Sequence, residues 1–310
     1  MKKIYVSLLL ILIFSFFFSR NIYAKTYSLS IYPSLNKVNL NRGDNYKYYI
    51  NIYNSEKVPI ALKVYAQNFG VSGLSGNVSF IEDKSKLQSA SWFKLKNTSI
   101  ILYPQETLRY GVNIVVPKNA YPGGHYVSVF FQKVNSIKSN PSVGVIPRIG
   151  SLFFITIGGN LYYNAKIQKN EIKTNIFHIG KTYFPFFKMS NFSVLTEVKN
   201  LSNDYITEKG QVYINNSFDI KKVLSVIPSH ILLQKEVRDF NSSIKNSLSL
   251  GNYKIYTSIN YGYNEKVIYS KNIVVIPIYI ILLTIMSLLF ILYMLTIEFV
   301  MFIFVRSLYI

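Results

Sequence analysis

Residues 107–116 read TLRYGVNIVV, and apolar and polar side chains alternate along this stretch. Such a period of two is typical of a β-strand with one buried face. The same alternation occurs in residues 46–53, 60–67 and 192–199. No stretch of the first half has a convincing helical period, so we predict antiparallel strands that pack into β-sandwiches.

Turn signals separate these strands, at residues 41–44 (NRGD), 103–105 (YPQ) and 121–124 (YPGG). The second half repeats the first in outline. The predicted correspondences are Asn200-Leu201-Ser202 with Asn54-Ser55, Val226-Ile227-Pro228 with Leu102-Tyr103-Pro104, and Gly251-Asn252-Tyr253 with Gly124-His125-Tyr126. A Gly-x-Tyr before a late strand suits a tyrosine corner, whose phenol caps a backbone group across the sandwich.

The fold class that follows is all-β: two tandem immunoglobulin-like β-sandwiches followed by one C-terminal transmembrane helix. We assign residues 25–158 to the first sandwich and residues 159–272 to the second. Gly158-Gly159 is the predicted hinge between them.

The C-terminal run, residues 273–305, contains Glu298 as its only charged residue. Its uncharged part, residues 273–297, would be about 37 Å long as a helix, enough to cross a hydrocarbon core of about 30 Å. We predict a transmembrane helix over 273–297, or to 305 if Glu298 lies inside it. Residues 306–310 then form a short cytoplasmic tail.

Residues 1–24 are typical of a secretory signal peptide, with Lys2 and Lys3 before an apolar core at 6–18 and a cleavage site at Ala24. An exported start and a stop-transfer helix predict a single-pass protein of the cell membrane. Its N-terminal ectodomain lies outside and its C-terminus in the cytoplasm.

The chain carries 34 Lys and Arg against 14 Asp and Glu, a formal net charge of +20, and no Cys. An exported chain without Cys has no disulfides, and the lack of thiols argues against thiol chemistry and most zinc sites. The positive charge indicates either an anionic envelope polymer as partner or the Lys-rich codon usage of an AT-rich genome. The lysines are scattered, so nucleic acid is not an expected partner.

Catalytic patterns are missing from the sequence. His125, His178 and His230 stand apart, and Glu82-Asp83 is the only adjacent acidic pair. The glycine-rich GVSGLSG at 70–76 is neither a phosphate loop nor a nucleophile elbow, and residues 70–91 are interpreted as a long mobile hairpin loop. We predict no enzyme, and no catalytic, cofactor-binding or metal-binding residues. His125 is expected to be a hydrogen-bonded turn residue.

Residues 115–131, with Pro-Gly-Gly-His-Tyr at 122–126, resemble a family of exported, membrane-anchored bacterial proteins with tandem immunoglobulin-like domains. Residues 89–92 (SASW) and 148–152 (RIGSL) match further family positions. The family has a pilus-chaperone-like fold and is similar in architecture to the WxL-interacting proteins. The resemblance implies no catalysis, and it implies contact with surface proteins and peptidoglycan.

The function predicted from the sequence is that of a membrane-tethered adhesion or scaffold protein, whose sandwiches bind another envelope protein. The alternatives are an assembly chaperone for secreted subunits, or a binder of peptidoglycan or of anionic wall polymer. Strand edges allow a partner to add a strand, and the expected places are the closing strand at 145–157 and the loop at 70–91.

Overall fold

The computed structural model describes residues 29–81, 89–134, 147–216, 221–262 and 265–307. Within them the chain forms two β-sandwiches, one after the other, and ends in a single long helix. The predicted fold of two tandem immunoglobulin-like sandwiches and one C-terminal apolar helix is therefore confirmed. The predicted signal peptide, residues 1–24, lies outside the described residues.

The first sandwich is built from short strands, with a 3-10 turn at Ser89–Trp92. The strands are β1 (Leu29–Tyr32), β2 (Leu35–Leu40), β3 (Asn45–Asn54), β4 (Ile60–Ser72), β5 (Asn77–Ile81), β6 (Phe93–Leu95), β7 (Ser99–Leu102), β8 (Thr107–Val115), β9 (Gly123–Lys133) and β10 (Arg148–Ile157).

Its two sheets have the strand orders β1-β3-β8-β6 and β2-β10-β9-β4-β5, with β7 paired to the start of β4. The chain changes sheets at Pro33, because β1 runs antiparallel to β3 whereas β2 runs parallel to β10. The core contains Ile50, Val112, Phe131 and Phe153, all fully buried. Neighbours along a strand point to opposite faces, so β3 and β8 alternate in sequence, whereas β9 and β10 are largely buried on both faces.

The second sandwich repeats this plan with one added short strand near the helix. Its strands are β11 (Ala165–Lys173), β12 (His178–Ile179), β13 (Thr182–Tyr183), β14 (Phe192–Asn200), β15 (Ile206–Asn216), β16 (Lys221–Leu232), β17 (Val237–Ile244), β18 (Gly251–Asn260) and β19 (Lys266–Val275). The sheets have the orders β11-β14-β17 and β12-β13-β19-β18-β15-β16.

A buried asparagine marks the same position in both sandwiches, at the end of β3 (Asn54) and of β14 (Asn200). Each side-chain amide donates to three backbone carbonyls: those of Val58, Leu102 and Tyr103 for Asn54, and those of Asp204, Leu232 and Leu233 for Asn200. The second copy of Leu102-Tyr103 is therefore Leu232-Leu233, and the predicted match with Val226-Ile227 is wrong. The prediction aligns Pro228 with Pro104 of a turn. Pro228 instead lies inside the edge strand β16, next to a bulge, where a missing N–H is tolerated.

The C-terminal helix, α1 (Ile278–Ser307), begins five residues later than predicted. Ile273 and Val275 belong to β19 and are buried in the second core, so the apolar run contains a core strand before the helix starts. The helix continues past residue 297, through Glu298. Residues Ile278–Phe304 are long and apolar enough to cross a membrane.

Candidate protein-binding site

His125 belongs to the Pro-Gly-Gly-His-Tyr segment, and both of its ring nitrogens have partners. Nε2 donates to the carbonyl of Tyr121 at 2.9 Å, and Nδ1 accepts from the hydroxyl of Ser89 at 2.7 Å. The ring also contacts Trp92, with centroids 4.5 Å apart. Burial lowers the pKa of His125, so the neutral ring is favoured. His125 is hydrogen-bonded as the sequence predicts, but it lies in strand β9, paired with Ile155, and not in the turn.

The two glycines of this segment are where the first sandwich meets the second. Gly124 N donates to the carbonyl of Asn203 at 2.9 Å. A Cβ on Gly123, whose φ is +114°, would lie 2.1 Å from the same carbonyl oxygen. Glycine is needed here because one backbone approaches another directly.

A small apolar cluster lies between the sandwiches and belongs to neither main core. Phe69 and Phe154 come from the first sandwich and Leu233 from the second, and all three are buried. Tyr126 packs on both phenylalanines, and its hydroxyl accepts from Gln234 N at 3.2 Å. Burial in this cluster raises the pKa of Tyr126. The sandwiches therefore share apolar surface as well as hydrogen bonds.

The β4–β5 hairpin reaches across to the second sandwich. At its tip, the carbonyl of Leu74 accepts from Asp239 N at 2.9 Å. A Cβ on Gly76 would lie 2.2 Å from Nη2 of Arg238, which is itself paired with Glu236. The predicted hairpin is therefore present in residues 70–81, but it consists of paired strands and a short turn docked on the other domain, and not of a long mobile loop. Residues 82–88 lie outside the described part of the chain.

Three carboxylates of the second sandwich are buried near this contact: Asp204, Glu208 and Glu236. Asp204 Oδ2 accepts from Thr156 Oγ1 of the first sandwich at 2.7 Å. Both oxygens of Glu208 lack a hydrogen bond within the described residues, and burial raises its pKa to about 8. Burial also raises the pKa of Asp204 and of Glu236. Arg238 is ion-paired with Glu236, and His230 Nδ1 lies 3.3 Å from Glu208 Oε1.

A cleft of about 740 Å³ opens beside the contact. Its walls are the ends of β2 and β10 on one side and the turns after β14 and β18 on the other. Lys37 crosses it, donating to Thr207 Oγ1 at 3.1 Å with its amine 5.4 Å from the ring centroid of Tyr205. Asp204, Tyr261 and Glu265 also line it. These aromatic faces, hydroxyls and charges of both signs suit a polypeptide.

Two open strand edges lead into this cleft. β2 is hydrogen-bonded only to β10, so its outer edge has no ladder partner among the described strands. β19 pairs with β18 along its length, but on its other side β13 covers only Val274 and Val275. Residues 266–273 therefore present an edge of eight residues with no described ladder partner.

The β19 edge carries Lys266 and Lys271, but it lacks two other common protections against strand addition, a bulge and a proline. Ile268 and Tyr269 are 46% and 40% exposed. In contrast, the edge strand β16 carries Pro228 and two register shifts. β19 is therefore better suited than β16 to receive another strand.

The sequence pointed to a different edge, the closing strand at 145–157. In the structure this strand is β10, and β2 covers it from Leu152 to Ile157. Only its beginning, from Arg148 to Ser151, has an edge without a ladder partner in the described chain, and residues 145–146 lie outside that part. Alternation identifies a strand, but it does not identify the strand's neighbours.

No protein-family model matches this chain, and no curated protein matches it. Among solved structures, a chain of the chaperone–tip adhesin complex of CFA/I fimbriae biogenesis is 12% identical, with 79% of this chain and 99% of that chain covered and a TM-score of 0.44. A chain of the CsuC–CsuE chaperone–tip adhesion subunit complex of Acinetobacter baumannii is 11% identical, with 81% of this chain and 100% of that chain covered and a TM-score of 0.38. The E. coli chaperone DraB is 10% identical, with 79% of this chain and 98% of that chain covered and a TM-score of 0.35.

These solved structures are pilus chaperones and their complexes. The likeness concerns the fold. Similarity to the WxL-interacting proteins stays a prediction.

Proposed function

We propose that this protein is a non-catalytic, membrane-anchored module that binds an exported protein by adding an extended segment of it to an open strand edge. The observation that carries the proposal is the outer edge of β19, where eight residues, 266–273, have no ladder partner in the described chain. Main-chain hydrogen bonds along such an edge give affinity, and alternate side chains give specificity.

The start of this edge opens into the cleft, because Glu265 lines the cleft and Lys266 begins β19. An incoming segment can therefore continue from β19 past Tyr261 and Lys37 toward the outer edge of β2. Lys37 and Glu265 provide one cation and one anion for the termini or side chains of that segment. The whole track belongs to two sandwiches that are already packed together.

This geometry favours the assembly chaperone for secreted subunits over the adhesion or scaffold protein that we predicted first. A free, extended segment is available in a subunit that has not completed its fold, whereas a folded partner has already paired its strands. One observation favours the scaffold as a second candidate. Helix α1 would tether the module permanently, and this suits lasting attachment of a folded surface protein.

The test is site-specific photo-crosslinking in cells, with benzoylphenylalanine replacing Ile268 or Tyr269 in the full chain. The matched control places the same group at Val223 or Val226 of β16, which are comparably exposed. We expect an exported protein to be crosslinked from β19 but not from β16. Equal capture from both strands, or no protein adduct at all, would overturn the proposal.

Pulse labelling separates the two protein partners. A short-lived adduct with newly exported subunits supports the chaperone, and a lasting adduct with a folded surface protein supports the scaffold. Recovery of wall fragments only, in a form that is lost at high salt, would instead assign the net charge of +20 to binding of an anionic polymer.

A further inference from the structure

The loop between β11 and β14, residues 174–191, runs beside the chain at the point where it leaves the second sandwich. Three hydrogen bonds follow one another there: Val274 N to the carbonyl of Lys181 at 2.9 Å, Ile276 N to that of Tyr183 at 2.9 Å, and Ile278 N to that of Pro185 at 2.8 Å. The first N–H groups of a helix have no intrahelical acceptor. The loop supplies one for Ile278, so it is joined directly to the entrance of α1.

This loop carries an exposed apolar surface. Phe177, Ile179, Phe186 and Phe187 are between 57% and 66% exposed, and all lie within eleven residues of sequence. Phe187 packs on Phe186 and on Tyr279 of the first helical turn, with ring centroids 4.6 and 5.7 Å apart. Single exposed apolar residues are ordinary on a protein surface, but a cluster around a helix entrance indicates a contact surface.

The length of the helix is consistent with contact between this surface and a lipid bilayer. Residues Ile278–Phe304 number 27, which as a helix is about 40 Å, whereas the hydrocarbon core is about 30 Å thick. Such a helix can cross the core with a tilt, or with its first turn in the outer headgroup layer, where Tyr and other amphipathic rings are enriched. In the second arrangement, Tyr279, in the first turn, and Phe187, packed on it, lie at that level.

The charge of the loop suits the same layer. Lys181 and Lys188 are exposed, and residues 174–191 contain no acidic residue. Lysines next to a bilayer surface bind phosphate headgroups while neighbouring apolar groups enter the boundary with the acyl chains.

We propose that residues 177–187 and Tyr279 form a membrane-seating surface that dips into the outer interface of the bilayer and holds the second sandwich upright on it. This inference rests on the proposed anchoring of α1 in a membrane. It deepens the proposed function, because it places the cleft relative to the bilayer. The ten residues of β19 span about 33 Å, at about 3.3 Å per residue, so the cleft at the far end of an upright β19 lies about that far from the bilayer.

The chain has no Cys, so single cysteines can carry a nitroxide label without a background. The full chain is reconstituted in vesicles of phosphatidylcholine and phosphatidylglycerol, with a label at Phe187→Cys or Ile179→Cys. Collisions of the label with oxygen, which enters lipid, and with a water-soluble nickel complex report its depth. Phe290→Cys in the middle of α1 is the buried reference, and Tyr121→Cys, 82% exposed on the first sandwich, is the aqueous reference.

We expect labels at residues 187 and 179 to collide with nickel several-fold less than the label at residue 121. If the residue 290 label is shielded but those at 187 and 179 match residue 121, the seating surface is overturned while the anchor stands. An accessible residue 290 label would overturn the anchor itself. Shielding at 187 that vanishes on dilution of protein in lipid would assign the surface to a second copy of the chain, and would also overturn the proposal.

A loss-of-contact variant provides the second measurement. Phe186→Ser with Phe187→Ser should return the residue 179 label to water, while circular dichroism shows an unchanged sheet content. The matched control, Val223→Ser with Val226→Ser, removes comparably exposed apolar side chains from β16 and should leave that label shielded. An unchanged residue 179 label in both variants would contradict a role for the two phenylalanines.

Discussion

The two sandwiches contain the same turn in two different environments. In the first, Tyr103 N donates to Glu106 Oε2, and in the second, Leu233 N donates to Glu236 Oε2, both at 2.7 Å. Gln105 and Lys235, just before these acids, have φ values of 58° and 63°. Glu106 is partly exposed, whereas Glu236 is buried and paired with Arg238 under the β4–β5 hairpin. The same turn thus lies on the surface of the first sandwich and forms part of the domain contact in the second.

The Gly-x-Tyr motif shows the same divergence. Tyr253 OH donates to the carbonyl of Ser249 at 3.1 Å, four residues upstream in the same turn, and not to a group across the sandwich as predicted. Tyr126 OH instead accepts from Gln234 N of the neighbouring domain. What differs is not the motif but what lies beside it, since only the first copy faces another domain.

The largest effect should come from the shared asparagine. Asn54→Ala and Asn200→Ala each leave three carbonyls without their side-chain donor, and we expect each to lower the free energy of unfolding by roughly 3 kcal/mol or more. Urea unfolding of the full chain in detergent measures this. The lone Trp92 reports the first sandwich by fluorescence, and circular dichroism reports both. Asn272→Ala, on the exposed part of β19, is the control.

Asn200→Ala also tests how closely the sandwiches are coupled. If it shifts the Trp92 transition as much as Asn54→Ala does, the two unfold as one unit. A loss below about 1 kcal/mol for either variant would contradict the shared role, because a single neutral hydrogen bond is worth about that much.

The next largest effect is a dependence of the stability of the second sandwich on pH. Burial raises the pKa of Glu208 to about 8 from its ordinary 4.5, so between these values the folded state binds more protons than the unfolded state. The contribution of Glu208 to stability should therefore be largest below about pH 4.5 and fall as the pH rises toward 8, by up to about 1.4 kcal/mol per pH unit. Asp204 and Glu236 act in the same direction. Unfolding at pH 5.5 and pH 8 should show a clearly smaller difference in Glu208→Gln, and an undiminished difference would contradict this assignment.

The domain contact itself is tested by a matched pair of glycines in one turn. Gly73 and Gly76 have φ values of +69° and +72°, but a Cβ on Gly73 meets nothing within 4 Å, whereas a Cβ on Gly76 meets Arg238. We expect Gly73→Ala to cost about 1 kcal/mol for backbone strain alone and Gly76→Ala about 1 kcal/mol more. Hydrogen exchange at the Asp239 amide, which donates to Leu74, should rise only in Gly76→Ala. Equal behaviour of the two variants would show that the hairpin tip does not depend on this contact.

The smallest expected change in stability comes from removing the hydroxyl of either tyrosine. Tyr253→Phe and Tyr126→Phe each remove one hydrogen bond, with an expected loss of about 1 kcal/mol. Tyr253→Phe should act on the second sandwich alone, whereas Tyr126→Phe should raise hydrogen exchange at the Gln234 amide without loosening the turn at Tyr253. The opposite pattern would remove Tyr126 from the domain contact.

Much of the fold could be predicted because strands leave a local signal. Thr107–Val115 alternates in sequence and alternates in burial, since successive side chains of a strand point to opposite faces. The candidate site could not be predicted in the same way. Whether β10 or β19 has a free edge depends on which strand lies beside it, and β2 covers β10 only because the chain changes sheets at Pro33.

The sequence by itself determined the period-two strands, the two sandwiches, the apolar C-terminal helix and the absence of disulfides, because each of these depends on residues close together in the chain or on composition. The tertiary structure alone decided that residues 70–81 dock on Arg238, that Gly123 and Gly124 meet Asn203, and that Ile273 and Val275 close a core before the helix begins. These features arise between residues far apart in sequence. A glycine in the sequence indicates only that another group can approach the backbone closely, and the packing of the whole molecule determines which residue that is.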